Sequence, residues 1–505
     1  MCGIVAAYGH FDPKTGSRML DASAHRGPDG TGSHSVGEAW LGHTRLAIVD
    51  VEGGAQPLSD ADDRVFLVGN GEIYNHSELR ARLPELAWQT RSDNEVALHL
   101  FQHEGVAGLA HLRGMFALAI ADVAGRFVAV RDPIGIKPLY WAQRHGTTLF
   151  ASELKAFEPE WRPHVAEFPP GHAWTPGGGL QALFPALEPP AAQVVALGSD
   201  EPPARVSETI RDTLVDAVER RMMADVPVGV FLSGGLDSSL VAAIAAQAAA
   251  RDGGRLQTFA VGVHGSPDLD AAREVADLLG TDHHEDAYSA ADFVAALPDA
   301  VRCIESFDPM LVHSAVPNYL LARFAARHVK VVLTGEGADE LFAGYDHHRA
   351  IPSAAALHAT LVAEVAGLHN LNLQRCDRVT MAHGLEARVP FLDLDVVHLA
   401  LSLPARWKQV SAERPEKWLL RTAFDGWLPD HLLWRTKEQF GDGSGASAAL
   451  REAAEALVPA DVHRRERNQA TPPLRSREET AYWRMFARHL DGVPVEDTIG
   501  RFAVA

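Results

Sequence analysis

Gly229 to Ser239 reads GVFLSGGLDSS, and the fold of the C-terminal half turns on it. Val230, Phe231 and Leu232 form a short apolar run of the kind a buried parallel strand shows. Ser233, Gly234, Gly235, Leu236, Asp237, Ser238 and Ser239 follow, and the alanine-rich LVAAIAAQAAA after them predicts a helix. Two glycines at a strand-to-helix turn let backbone approach a ligand closely. The helix start adds unpaired N–H groups and partial positive charge, so the site suits phosphate. The serine hydroxyls add donors, and Asp237 is of the type that holds magnesium. No lysine follows the glycines, so this is not the Walker pattern.

Outward from this loop, strand patterns at 226–232, 257–262 and 329–334 alternate with helical patterns at 238–250 and 269–279. A further helical pattern runs from Ser207 to Met223. The alternation predicts a doubly wound parallel α/β sheet, with ligands at the carboxyl ends of its strands. Leu232 and Val261 fall at two such ends. A second strand meets a glycine-bearing loop at Thr334-Gly335-Glu336-Gly337-Ala338-Asp339-Glu340, now with three carboxylates. Glu340 reads as helix surface or as support behind the others. Lys437 is the preferred cation for a phosphate; Lys417 reads almost as well as a solvated helix face. Arg388 reads equally as a salt-bridge partner or a substrate contact.

The N-terminal half reads differently. Met1-Cys2-Gly3-Ile4-Val5 places a cysteine where trimming of Met1 would expose a thiol beside an α-amine. An amine of reference pKa about 8 can activate a thiol as nucleophile. Strand-like segments follow: CGIVAAY, AWLGHTRLAIV, RVFLVG, FALAIAD, RFVAVRD and TLFASE. Asn70-Gly71 could make a hairpin turn, or offer a carboxamide and a backbone N–H to an oxyanion. Arg45 suits a carboxylate. Asp93 suits an ammonium, although Ser92-x-x-Glu95 also reads as a capping box. Gly177-Gly178-Gly179, Pro189-Pro190 and Pro202-Pro203 break every period and place a linker at 191–203, between domains at 2–190 and 204–505.

The 505 residues carry a formal net charge of −20, which disfavours a nucleic-acid partner. Three cysteines make no disulfide framework, so a reducing cytoplasm is expected. No signal peptide and no apolar run of about 18 residues is apparent, so no membrane association is expected.

Taken together, Cys2, His25-Arg26-Gly27-Pro28-Asp29, His43-Thr44-Arg45, Asn70-Gly71-Glu72, Arg91-Ser92-Asp93 and Gly114-Met115-Phe116 resemble the glutaminase domain of class II amidotransferases, over roughly residues 2–190. That resemblance implies a four-layer αββα fold. It implies Cys2 as nucleophile, an oxyanion hole from Asn70 and Gly71, and glutamine binding by Arg45, Leu46, Ala47, Ile48, Val49, Asn70, Gly71, Glu72 and Asp93. SGGLDSS resembles the pyrophosphate loop of adenylating enzymes. LTGEGADELFAGY and GLEARVPFLD resemble the asparagine synthetases over roughly 205–445. This second resemblance implies ATP binding by Leu232, Ser233, Gly234, Gly235, Asp237, Ser238, Ser239, Val261, Thr334, Gly335 and Lys437. It gives a catalytic part to Glu336, and magnesium to Asp237 and Asp339. The implied reaction adenylates the β-carboxylate of aspartate and adds ammonia drawn from glutamine through an apolar internal passage. The implied partners are thus glutamine, aspartate and ATP, with a homodimer left open. One departure stands out: where some asparagine synthetases carry arginine, in Thr-Thr-Ile-Arg-Ala-Ser, this chain has His313. A related enzyme acting on a different acid is the alternative, and a sugar-phosphate amidotransferase a more distant one. Nothing is assigned to the chain beyond 445.

Overall fold

The computed structural model describes residues 2–187, 202–435 and 446–502. Two six-stranded sheets build the first half. One runs Val165–Glu167, Tyr140–Arg144, Thr147–Ala151, Gly3–Tyr8, Ala39–Arg45, Gly30–Val36 from edge to edge. The other runs Gly179–Ala182, His172–Thr175, Phe127–Arg131, Gly114–Asp122, Val65–Ile73, Leu58–Ser59. The pairings in both are antiparallel.

Residues two apart share a face of a strand, and the cores follow that period. Ile4 and Ala6 of the first sheet meet Phe66, Val68, Ala117 and Ala119 of the second in one apolar layer. Leu67, Leu118 and Ile120 point the other way, under Val96, Leu100 and Phe101 of the Glu95–Glu104 helix. Val5 and Ala7 face instead a cluster shared with the second half. Each large apolar side chain so buried contributes about 1.5–3 kcal/mol.

The second half carries a five-stranded, wholly parallel sheet in the order Asp282–Ala287, Gln257–Gly262, Val228–Phe231, Val331–Leu333, Glu386–Arg388. Val228–Phe231 and Val331–Leu333 in its middle are apolar throughout; one edge strand, DHHEDA, is polar and partly exposed. A polar edge of this kind discourages pairing with other chains. The expected helices form at Ala204–Arg220, Leu236–Arg251 and Pro267–Leu279, and the last is capped by Ser266, whose side chain accepts from Asp268 N. Of the expected linker, only its last two residues lie within the described chain, and a helix begins directly after Pro203. No helix among the described residues is long and apolar enough to cross a membrane.

Residues 446–502, to which the sequence assigned nothing, close the fold. Leu450, Ala454, Tyr482 and Phe486 pack with Phe293, Leu297 and Leu311. Two local expectations give way to tertiary contacts. Asn70-Gly71 is no hairpin turn but lies inside the Val65–Ile73 strand. The Ser92–Glu95 capping box does not form: Glu95 is the first helical residue, and its carboxylate takes the N–H groups of Gln89 and Thr90.

Candidate functional site

Cys2 stands at the head of the Gly3–Tyr8 strand, 8% exposed. Its Sγ lies 3.9 Å from Leu46 O, and its backbone N–H donates to Asn70 Oδ1 at 3.0 Å. Burial pushes the thiol above its ordinary value. Asn70 Nδ2 is buried and has no hydrogen-bond partner. A buried amide donor left unmade is costly, so a donor aimed beside a thiol is a plain candidate for an oxyanion. Gly71 sits at φ +135°, and a Cβ there would come within 1.9 Å of Met115 O, so no other residue fits.

Of the residues expected at glutamine, Leu46 accepts at the Cys2 thiol, and the others have the following partners. Arg45 is steadied by Val51 O at 2.9 Å and Asp50 O at 2.6 Å. Ala47 N donates to Asp29, and Ile48 O accepts from Asp225 N of the second half; Val49 packs in the apolar cluster of Ile48 and Met381. Asp93 is buried and accepts the N–H of Ile73 at 2.6 Å. Burial, with Glu386 and Asp93 nearby, pushes the Glu72 carboxyl well above its usual range. Arg26, of the His25–Asp29 run, is fully buried and donates from Nε to Cys2 O at 3.0 Å.

A second centre lies at the carboxyl ends of the parallel strands. A cavity of about 1220 Å³ is lined there by Leu232, Ser233, Gly235, Asp237, Ser238, Val261, Thr334, Gly335, Glu336 and Asp339. Ten expected residues are thus brought together. Gly234 and Ser239 fall outside this lining: Gly234 turns the chain at φ +72° against Ala271, and Ser239 is buried in its helix. Lys437 lies outside the described residues. The two loops touch: a Cβ on Gly335 would come 2.7 Å from Asp237 Cβ.

Arg375 lines the same cavity and carries no signal in the sequence. Arg375 Nη2 meets Glu336 Oε1 at 2.6 Å. Lys417 is no solvated face: its side chain is 3% exposed, and Nζ bridges Asp237 Oδ2 and Asp339 Oδ1, the latter at 2.7 Å. Two carboxylates converging on one cation are the hard oxygen donors magnesium takes, so the residues fit that ion. Glu340 is buried rather than on the surface; burial and the neighbouring Asp339 push it up to about 7, and Tyr345 donates to it at 2.5 Å. Arg388 is a structural partner, donating to Glu386 and to Arg221 O and Met223 O. His313 Nε2 lies 2.5 Å from Glu478, which Tyr482 also reaches. Arg451, Arg475 and Arg501 of the C-terminal segment line the same cavity.

A thiol beside an open amide donor in one half, and a glycine-bearing strand-to-helix loop beside paired carboxylates in the other, are the arrangement of a glutamine amidotransferase joined to an ATP-using synthetase. The comparisons agree. The glutamine amidotransferase domain model matches residues 1–168, and the asparagine synthase model matches 209–358 and 349–471. An Arabidopsis thaliana asparagine synthetase [glutamine-hydrolyzing] 3 is 41% identical over 469 residues, 88% of this chain and 80% of the relative. One from Sandersonia aurantiaca is 40% identical over 469 residues, 88% of each. The chain belongs to the asparagine synthase family.

Proposed function

We propose that the protein makes asparagine from aspartate and ATP, with nitrogen taken from glutamine. The observation that carries this reading is the geometry of Asn70, whose Oδ1 holds the Cys2 nitrogen while its Nδ2 is left for a substrate oxygen. Once Met1 is removed, that nitrogen becomes an α-amine able to take the thiol proton. Cys2 attacks the side-chain amide of glutamine, Asn70 Nδ2 and Gly71 N–H hold the oxyanion, and ammonia leaves a γ-glutamyl thioester for water to hydrolyse. Arg45 and Asp93 hold the carboxylate and ammonium of glutamine, with Glu72 behind them.

In the second half the Ser233–Ser239 loop cradles the phosphates. Asp237 and Asp339 would hold magnesium, which neutralises charge on the leaving pyrophosphate. The β-carboxylate of aspartate displaces pyrophosphate to give an acyl-adenylate. Ammonia attacks that carbon, AMP departs, and Glu336, aligned by Arg375, takes the surplus proton. Ammonia free in water would be protonated and lost. Met115, Ile134 and Ile136 of the first half join the apolar core around Leu232, Leu385 and Val389, which supports a dry passage between the sites. The layering fits the same reading, with stacked sheets flanked by helices in one half and a doubly wound sheet in the other. Three unpaired cysteines support a cytoplasmic setting.

Incubation with glutamine, aspartate, ATP and magnesium should yield asparagine, glutamate, AMP and pyrophosphate. Pyrophosphate release that ignores aspartate would refute the acceptor. The His313–Glu478 pair favours one second reading, a different acid in the same chemistry, which a panel of acids scored for pyrophosphate would reveal.

A further inference from the structure

We propose that Asp377, a residue of the synthetase half, positions the nucleophile of the glutaminase half by way of Arg26. This rests on the reading of Cys2 as the residue that attacks glutamine. Arg26 has no solvent exposure, so its donors must be met by protein. Nε takes Cys2 O at 3.0 Å. Nη1 takes Glu153 Oε1 at 2.7 Å and Asp377 Oδ2 at 2.8 Å, and Nη2 takes Asp377 Oδ1 at 3.2 Å. The guanidinium is planar, so a two-pronged grip on both Nη atoms fixes the direction in which Nε points.

Cys2 is therefore clamped from two sides. Its nitrogen is held by Asn70, within its own half, and its carbonyl by Arg26, whose plane is set across the boundary. The carboxylate has further cations at hand: Arg378 Nη1 at 3.5 Å and Lys137 Nζ at 3.9 Å. These and Arg26 hold Asp377 below its ordinary range against the opposing push of burial, so it stays an anion. The Asn372–Met381 helix that bears Asp377 also bears Arg375, which grips Glu336 in the nucleotide cavity. One helix thus touches the machinery of both sites. A plain docking contact would need no tie to the nucleophile. Arg113 with Asp395, 2.6 Å apart, is such a contact, joining the halves without reaching Cys2.

The test uses the full-length enzyme and three readouts: steady-state glutamine hydrolysis, ammonia-dependent synthesis, and the pH profile of Cys2 alkylation by iodoacetamide. Asp377→Asn should lower the kcat for glutamine about tenfold, since small misplacements of a reacting atom are expensive. KM should stay within about twofold and the alkylation profile should shift, while ammonia-dependent synthesis falls less than about twofold. Asp377→Glu, which keeps the charge, should recover part of the loss, and Arg113→Ala should change none of the three. If Asp377→Asn does not accumulate as folded protein, Arg26→Lys removes the fork at constant charge and should show the same fall. An unaltered kcat and alkylation profile, or an equal loss in the glutamine and ammonia reactions, overturns the proposal. A wild-type enzyme that leaves glutamine intact refutes the parent reading instead, and the alkylation profiles then still decide whether Asp377 positions Cys2.

Discussion

Replacing Lys417 by methionine should make the stability of the synthetase half depend on magnesium. The ammonium bridges Asp237 and Asp339, so the two facing carboxylate oxygens lie at most about 5 Å apart. At an effective dielectric constant of about 20, two negative charges at that separation repel by roughly 3 kcal/mol. Both carboxylates keep about a fifth of their exposure, so water screens part of this. We expect Lys417→Met to lose about 2–3 kcal/mol, slightly below the usual cost of stripping one partner from a buried pair. Magnesium should return it: an ion at a hundredfold excess over its dissociation constant adds about 2.7 kcal/mol to the state that binds it. The assay is urea unfolding followed by tryptophan fluorescence, with and without millimolar magnesium and without nucleotide. The variant should gain strongly from the ion and the wild type little, because its lysine already neutralises the pair. A variant as stable as wild type without magnesium, or equal gains in both proteins, would refute the reasoning.

Cys2→Ala should abolish glutamine hydrolysis and glutamine-dependent synthesis yet leave ammonia-dependent synthesis intact; glutamate release by the variant would remove the role given to the thiol. Asn70→Ala should cut the kcat for glutamine about 10²–10³-fold, the usual loss for one oxyanion donor, with KM little changed. Glu340 gives a pH signature. Its folded value is raised from 4.5 to about 7, so the fold binds a proton that the unfolded chain has released. Its contribution is full below about pH 4.5 and fades as pH rises to 7, by about 1.4 kcal/mol per unit and roughly 3 kcal/mol in all. Glu340→Gln should flatten the unfolding free energy over that window; an unchanged slope counts against the burial argument.

The two loops assigned to nucleotide were legible because each is a local pattern. A strand, glycines and a helix start occur within a dozen residues, and GVFLSGGLDSS and LTGEGADELF both fold that way. The period-two cores of the first half were legible for the same reason. Residues that act by long-range approach were not. Lys417 meets Asp237 across 180 positions, and nothing near Lys417 distinguishes it from an exposed lysine. Arg375 becomes meaningful only when its helix is laid beside Glu336. The C-terminal segment reads as amphipathic helix, yet it brings three arginines to the cavity because its apolar face has nowhere else to pack. Where local rules misled, at Ser92–Glu95 and at Asn70-Gly71, a tertiary partner offered more than the local bond. Glu95 there takes three hydrogen bonds from Gln89 and Thr90 in place of one reciprocal cap.

The burial of Cys2 follows from the same long-range logic. A thiol 8% exposed, its pKa raised, looks at first like an inert core cysteine. Cys303 and Cys376 are such cysteines: both are buried and pushed up to about 12. What separates Cys2 is its backbone. Its nitrogen and carbonyl are held by groups with a second engagement, in Asn70 an open donor and in Arg26 a bridge to the other half. An inert residue needs neither. The nucleophile proposed here needs its backbone fixed, and in that reading the covering that hides the thiol also keeps released ammonia from water. Burial therefore costs thiolate at rest and retains nitrogen in turnover. In the proposed mechanism the α-amine left by removal of Met1 offsets the first term by taking the thiol proton.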